Sequence, residues 1–287
     1  MSDSLLPESH ERVFERFLRK VLSGLCEKNR LRDACEYALA EGGRRVRPTM
    51  VLLTADALGA RDLPLDAALS VEFFHSASLI ADDLPCMDND DRRRGKPSVH
   101  KVFGETTALL ASYALITAAF EMIHKSAVRA NDKIGMMALL CAAKGAGISG
   151  ATGGQFLDLF PAGDSWEEIS DVIRKKTATL FEVSLVFGWL FGGGSPSRLE
   201  EVKRAAYHFG MAFQIADDRK DRVSDLSRDR RSNATVCWGT EGAKRLLEEH
   251  LGAFERIMRA LRIMTPEFGR VADLVRRGWR FGFPAPQ

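Results

Sequence analysis

The sequence predicts an all-α bundle, and three observations predict it. Apolar residues recur at helical spacing near both ends, the middle consists of segments apolar on nearly every side, and no stretch alternates as a strand would. Val13, Phe14, Phe17, Leu18, Val21, Leu22 and Leu25 form one stripe in steps of three and four, and Leu246, Leu247, Leu251, Phe254, Ile257, Met258 and Leu261 form another. Between them lie Ala67 to Ala81, Thr107 to Ile123, Gly135 to Gly147 and Ala205 to Ala216. A helix apolar all round is expected inside a core, wrapped by other helices. Breaks are expected at Pro64, at Leu84-Pro85, at Gly153-Gly154, at Gly192-Gly193-Gly194 with Pro196, and after Asp221. With 287 residues, 45% of them hydrophobic, and no linker-like segment, residues 1–287 are expected to form a single domain.

Charge excludes some classes of function. Lys plus Arg number 41 against 39 Asp plus Glu, so no bulk field favours nucleic acid or a membrane surface. The five cysteines (Cys26, Cys35, Cys86, Cys141 and Cys237) are odd in number and without a CxxC pair. That argues against a disulfide framework or zinc site and suits a reducing cytosol. The N-terminus lacks a basic region followed by an apolar run, and the longest apolar runs fall short of the roughly 20 residues of a membrane span. A soluble, cytoplasmic protein is the expectation.

Two acidic clusters close apolar helices. The first, Asp82-Asp83-Leu84-Pro85-Cys86-Met87-Asp88-Asn89-Asp90-Asp91, holds five carboxylates in ten residues. A helix C-terminus already carries negative partial charge, so the cluster calls for a cation. Pro85 should break the helix and fold Asp88 back toward Asp82. In the second cluster, Asp217 and Asp221 stand at i and i+4 on one face. Oxygen-only donors suit a hard cation, and Mg²⁺ takes one or two carboxylates plus substrate phosphates. The alternative is a pair of solvated helix ends paired with Arg92, Arg93 and Arg94. Basic runs accompany the clusters: Gly42-Gly43-Arg44-Arg45-Val46-Arg47-Pro48, Arg93-Arg94-Gly95-Lys96 and Lys175-Lys176-Thr177. Each alone reads as surface; together with carboxylates for Mg²⁺ they imply a diphosphate substrate.

These segments resemble the trans-isoprenyl (polyprenyl) diphosphate synthase family. DDLPCMDNDDRRRGKPSVH, from Asp82 to His100, is similar to its first aspartate-rich motif, DDxxxxD followed by RRG. GGRRVRP is similar to GGKRxRP, GGQFLD to GQxxD, KKTATLFE to the KT-containing helix, and FQIADDRKD to FQxxDDxxD. The five motifs run in family order from residue 42 to residue 221, with wording nearest to geranylgeranyl diphosphate synthases.

The resemblance implies about a dozen helices around a deep central cavity, a homodimer, and about three Mg²⁺ per active site. It assigns Asp82, Asp83, Asp88 and Asp217 to metal, with Asp221 as a further or water-mediated partner. Arg93, Lys176 and Gln214 would bind an allylic diphosphate (dimethylallyl, geranyl or farnesyl). Arg44, Arg47, His75 and Arg94 would bind isopentenyl diphosphate. Thr177, Gln155 and carbonyls of the Lys176 helix would stabilise the allylic cation. His75 lies seven residues, two helical turns, before Asp82 and so shares its face.

In the family that these segments resemble, product length depends on the helix before the first motif. Ala77 and Ser78 are small where farnesyl-makers carry an aromatic, and Phe74, about 4.5 Å deeper, is placed as the floor of a C20 pocket. The alternative makes Phe73 and Phe74 ordinary core and gives the floor to Tyr113 or a partner chain. The chain departs from the pattern in places: Ala81 replaces the usual His, Arg44 replaces Lys, and Arg219-Lys220 replaces an apolar pair. The loop after Asp221 is shortened and lacks its customary lysines, with Asn233, Arg228, Arg230 and Arg231 nearby. The expected activity is condensation to geranylgeranyl diphosphate; a farnesyl diphosphate synthase or a regulatory subunit of a heteromeric synthase remains the alternative.

Overall fold

The computed structural model describes residues 7–25, 27–40, 43–163, 165–227 and 233–282, without the side chains of residues 8, 9 and 220–227. Among these residues there are thirteen α-helices. In chain order they are α1 (Glu8–Ser23), α2 (Arg30–Ala40), α3 (Val46–Ala57), α4 (Leu65–Asp82), α5 (Val99–Phe103), α6 (Glu105–Arg129), α7 (Asp132–Ala146), α8 (Ala151–Leu159) and α9 (Trp166–Ile173). A π-helical turn, Arg174–Ala178, leads straight into α10 (Thr179–Phe191), followed by α11 (Leu199–Ser227), α12 (Ala234–Ala260) and α13 (Pro266–Phe281). Two-residue strands Arg92–Arg93 and Lys96–Pro97 form a minimal antiparallel hairpin between α4 and α5.

Helix α10 is buried along its length by α3, α4, α7 and α11, and α4 is buried between α3, α6 and α10. Both are apolar on nearly all sides, as an interior helix requires. The amphipathic helices wrap them. Phe14, Leu18 and Leu22 of α1, and Leu247, Leu251, Phe254 and Met258 of α12, face inward as the stripes predict. Helix starts follow local chemistry: Asn131 caps α7, Ser165 and Glu168 form a capping box on α9, and Thr265 caps α13 ahead of Pro266.

Several expectations are corrected. Gly153 and Gly154 lie inside α8 rather than breaking it. Helix α11 continues past Asp221 to Ser227, since no Gly or Pro interrupts that stretch. Helices α6 and α7 are apolar all round yet not enclosed: Leu109, Leu110, Tyr113, Ile116, Met136, Leu139 and Leu140 are exposed. By length and composition, Glu105–Arg129 and Asp132–Leu159 could each cross a bilayer, although no uninterrupted apolar run does so. One side of α6 belongs to the core, with Ala108, Ala111, Leu115 and Ala119 fully buried, and α6 packs on α4.

Candidate active site

The first acidic cluster is shaped by the end of α4. Asp82 is its last residue and Asp83 its C-cap. Beyond Pro85 the chain reverses: the Met87 and Asn89 amides donate to Leu84 O, and the Asp88 amide donates to Asp82 O at 2.9 Å. Asp88 is thus folded back onto Asp82, as the proline predicts. The hairpin then returns Arg93, whose guanidinium donates to Asp83 Oδ1 through Nε at 3.0 Å and through Nη2. Arg92 donates to Gly95 O instead. Arg93 thus pairs with Asp83 as the alternative has it, but Asp83 is buried rather than solvated. Burial pushes the Asp82 carboxyl up to about 6, Lys176 acting against the rise and Asp88 adding to it. Burial also raises Asp83, with Arg93 opposing.

Lys176 belongs to the π-helical turn. There the backbone register shifts from i→i+4 to i→i+5, a feature common at functional sites. The turn is held between two glycines. A Cβ on Gly154 of α8 would stand 2.2 Å from Lys176 N, and one on Gly210 of α11 would stand 2.5 Å from Ala178 Cα. Close backbone approach, not chain reversal, is what Gly154 provides. Lys176 Nζ donates to Asp158 Oδ2 at 2.6 Å. Burial works against its ammonium, but Asp158 and Asp82 outweigh that and hold its pKa above the usual lysine value. Gln155, beside Gly154, has both amide atoms buried without a hydrogen-bond partner. A buried amide left this way costs free energy that a ligand would restore.

The next residue, Thr177, donates to Gln214 Oε1 at 2.7 Å, and Gln214 Nε2 donates to Asp218 Oδ1 at 2.8 Å. Asp218 is buried, and its Oδ2 accepts the Ala234 amide at 2.8 Å where α12 begins. The charge of Asp217 favours the guanidinium groups of Arg44 and Arg47, against their burial. The side chain of Asp221 lies outside the described residues, as do Arg228, Arg230 and Arg231. Arg219 stacks over Trp279 at 5.0 Å and donates to its carbonyl oxygen, which ties α11 to α13 where an apolar residue is usual.

The basic wall comes from α3 and α4. Arg47 lies 4.5 Å over the Phe181 ring, and its Nη1 is 3.3 Å from His75 Nε2. A guanidinium cannot accept, so Nε2 is the acceptor and the proton sits on Nδ1. Burial first, then Arg47 and Arg94, keeps His75 far below the usual imidazole range. Burial lowers Arg47 to about 10, still fully charged at neutral pH, and its Nε has no partner. Burial lowers Arg44 too, with Asp217 opposing and Arg94 reinforcing. Arg45 turns the other way. It has φ 46° and is buried against Glu72, Glu15 and Leu39 O.

Further down α4, Phe74 meets Phe120 edge-on at 5.3 Å. Ala77 is buried, its carbonyl accepting from Ser112 at 2.9 Å, and Ser78 donates to His75 O. Tyr113 is 56% exposed on the outer side of α6. Sequence reasoning assigned no role to Asp158, Asp218, Glu72 or Phe181. Asp158, Asp218 and Phe181 stood inside quoted segments (GGQFLD, FQIADDRKD and KKTATLFE), and Glu72 carried no signal.

The donor set fits Mg²⁺. Among the described residues, which leave out the Asp221 side chain, no three His, Cys, Asp or Glu side chains converge on one point. Mg²⁺ is held by one or two carboxylates with substrate phosphates and water. Asp82, half-buried at the end of α4 with its carboxylate disfavoured by desolvation, is the kind of donor such an ion satisfies.

Known proteins resemble this chain in sequence and in fold. The profile of the polyprenyl synthetase family matches residues 28–233. The chain is 40% identical over 205 residues to geranylgeranyl pyrophosphate synthase 4 of Arabidopsis thaliana, covering 69% of this chain and 55% of that protein. It thus spans little more than half the length of that plant relative. It is 33% identical over 287 residues to the farnesyl diphosphate synthase of Geobacillus stearothermophilus, covering 95% of this chain and 96% of that one. The fold superposes on an FPP/GFPP synthase from Zymomonas mobilis with TM-score 0.79 and 27% identity, covering 94% and 97% of the two chains.

Proposed function

The chain belongs to the polyprenyl synthetase family, and from that premise we propose that it is a magnesium-dependent prenyltransferase joining isopentenyl diphosphate to an allylic diphosphate. One observation carries the reading. Lys176, whose ammonium is supported by Asp82 and Asp88, stands beside Thr177, which donates to Gln214 of α11 three residues before Asp217, so the π-helical turn lies between the two acidic clusters.

Asp82, Asp83, Asp88 and Asp217, with Asp221, would hold Mg²⁺, which when bound neutralises charge on the departing diphosphate. Lys176 and Arg93 bind the allylic diphosphate and stabilise negative charge as it leaves C1. Gln214 assists there through the one amide hydrogen that Asp218 does not use. Arg44, Arg47, Arg94 and the Nδ1–H of neutral His75 grip isopentenyl diphosphate, which keeps its own diphosphate throughout. The alkene of isopentenyl diphosphate attacks C1, and the released diphosphate takes the final proton. Thr177 Oγ, the Gln155 amide oxygen and carbonyls of the π-helical turn offer lone pairs to the cation. The apolar walls exclude water that would trap it.

The product we propose is geranylgeranyl diphosphate. Ala77 and Ser78 leave room at the first depth, and Phe74, steadied by Phe120, forms the floor below. Similarity to a farnesyl diphosphate synthase over nearly the whole chain favours C15 as the second reading. We also propose a homodimer formed through the exposed apolar faces of α6 and α7. The test is the purified protein alone with Mg²⁺, isopentenyl diphosphate and each allylic primer, followed by product extraction. Condensation is expected; its absence would leave the regulatory-subunit alternative standing.

A further inference from the structure

The second acidic cluster contains three aspartates, and Asp218 does something different from Asp217. Asp218 is 4% exposed and accepts with both oxygens: Oδ1 from Gln214 Nε2 and Oδ2 from the Ala234 amide, each at 2.8 Å. Its backbone carbonyl accepts Asn233 Nδ2, also at 2.8 Å. A carboxylate committed to the start of α12 in this way stands about 100° round α11 from Asp217.

The consequence runs along a directed chain. A carboxylate that accepts fixes which end of the Gln214 amide faces it, so Nε2 turns to Asp218 and Oε1 to Thr177. Thr177 must then donate, as it does at 2.7 Å. With its proton committed to Gln214, the Thr177 oxygen has only lone pairs left for whatever lies in the site. Each bond in such a chain polarises the next, and the effect is larger at low dielectric. The chain begins at a negative charge and ends on an oxygen beside Lys176, in the π-helical turn that packs on α8, where the amide of Gln155 is unpaired.

We propose that Asp218 is a positioning residue for ionisation of the allylic substrate, orienting and polarising Gln214 and, through it, Thr177. The inference rests on the prenyltransferase reading above. In the step served, the allylic C1–O bond breaks, its electron pair leaves on diphosphate, and the positive charge left on the allyl group faces Thr177 Oγ. Asp218 touches neither substrate nor metal in this role.

The experiment compares Asp218→Asn, Thr177→Val and the double variant with the wild type. Asparagine keeps one acceptor but loses the charge and sets an N–H against the Ala234 amide. Asp218→Asn should lower kcat about 10- to 100-fold, the range for losing a hydrogen bond to a charged group. Both KM values and the Mg²⁺ concentration for half-maximal rate should stay within about threefold. Affinity for a non-ionising allylic thiolodiphosphate, measured by calorimetry, should be unchanged. Thr177→Val should cost far less in the Asp218→Asn background than alone, because the two act as one unit. Gln214→Leu cuts the same chain while leaving the α12 cap intact. If Asp218→Asn does not fold, the coupling of Gln214→Leu to Thr177→Val in kcat takes over as the readout, because Gln214 also contacts the allylic diphosphate and its own KM does not discriminate. A steep rise in Mg²⁺ requirement would make Asp218 a metal ligand, and additive losses would dissolve the chain; either overturns the proposal. A wild type with no condensation activity would overturn the prenyltransferase reading and this one with it.

Discussion

The Asp88 amide donates to the Asp82 carbonyl oxygen at 2.9 Å, so the first acidic cluster is closed into a loop by its own backbone. That bond sets the two carboxylates near one another at the end of a helix whose dipole disfavours both. The arrangement is stable only with cationic company, here Lys176 from the π-helical turn.

The first prediction concerns the two clusters. Asp82→Ala and Asp217→Ala should each lower turnover by about 10²–10³-fold, the loss typical of removing a charge-stabilising group. The loss should be greatest at limiting Mg²⁺. Steady-state rates near wild type in both variants would remove the metal assignment.

Asp82 also predicts a pH effect on stability. Its pKa is raised in the folded protein to about 6 by burial, with Lys176 opposing and Asp88 adding. Its contribution to stability is therefore present below the unfolded value, near 4, and is lost as pH rises through about 6. Without metal, Asp82→Asn should melt several degrees higher than wild type at pH 7.5, with the gap closing toward pH 4. Calorimetric melting at both pH values checks this, and an equal gap at each would contradict it.

Kinetics should separate the two diphosphate sites. Arg47→Ala and His75→Ala should chiefly raise KM for isopentenyl diphosphate, because that substrate does not ionise. Lys176→Ala should act on the allylic substrate and on kcat. Varying each substrate in turn decides, and the reverse pattern would exchange the two assignments.

Product length tests the depth of α4. Ala77→Phe should shift products toward C15, and Phe74→Ala should extend them beyond C20. Chromatography of the dephosphorylated products reads the result. Unchanged products from both would acquit this helix and give the floor to other residues.

The exposed faces of α6 and α7 predict an assembly. Leu110→Glu together with Leu140→Glu should convert a dimer to a monomer, since each charge would be buried unpaired at the interface. Light scattering after size exclusion measures this. A wild type already monomeric at micromolar concentration would rule the interface out.

The sequence by itself determined the all-helical class, the stripes of α1 and α12, and the placing of the first acidic cluster at the end of an apolar helix, whereas the second lies inside α11. These are local properties: side-chain period, the missing N–H of Pro85, and like charges too close to stand without a cation. The tertiary structure alone decided which of several similar neighbours does what. Arg44 and Arg47 share the field of Asp217 while Arg45, between them, is consumed by Glu72 and Glu15. Asp217 favours those guanidinium groups while Asp218 is spent on Gln214 and the start of α12. Gly153 and Gly154 read as a break, yet Gly154 serves close packing against Lys176. Adjacent residues on a helix differ by about 100° in direction, so their roles depend on what the other helices bring to each side. That is set only when α4, α8, α11 and the π-helical turn pack together.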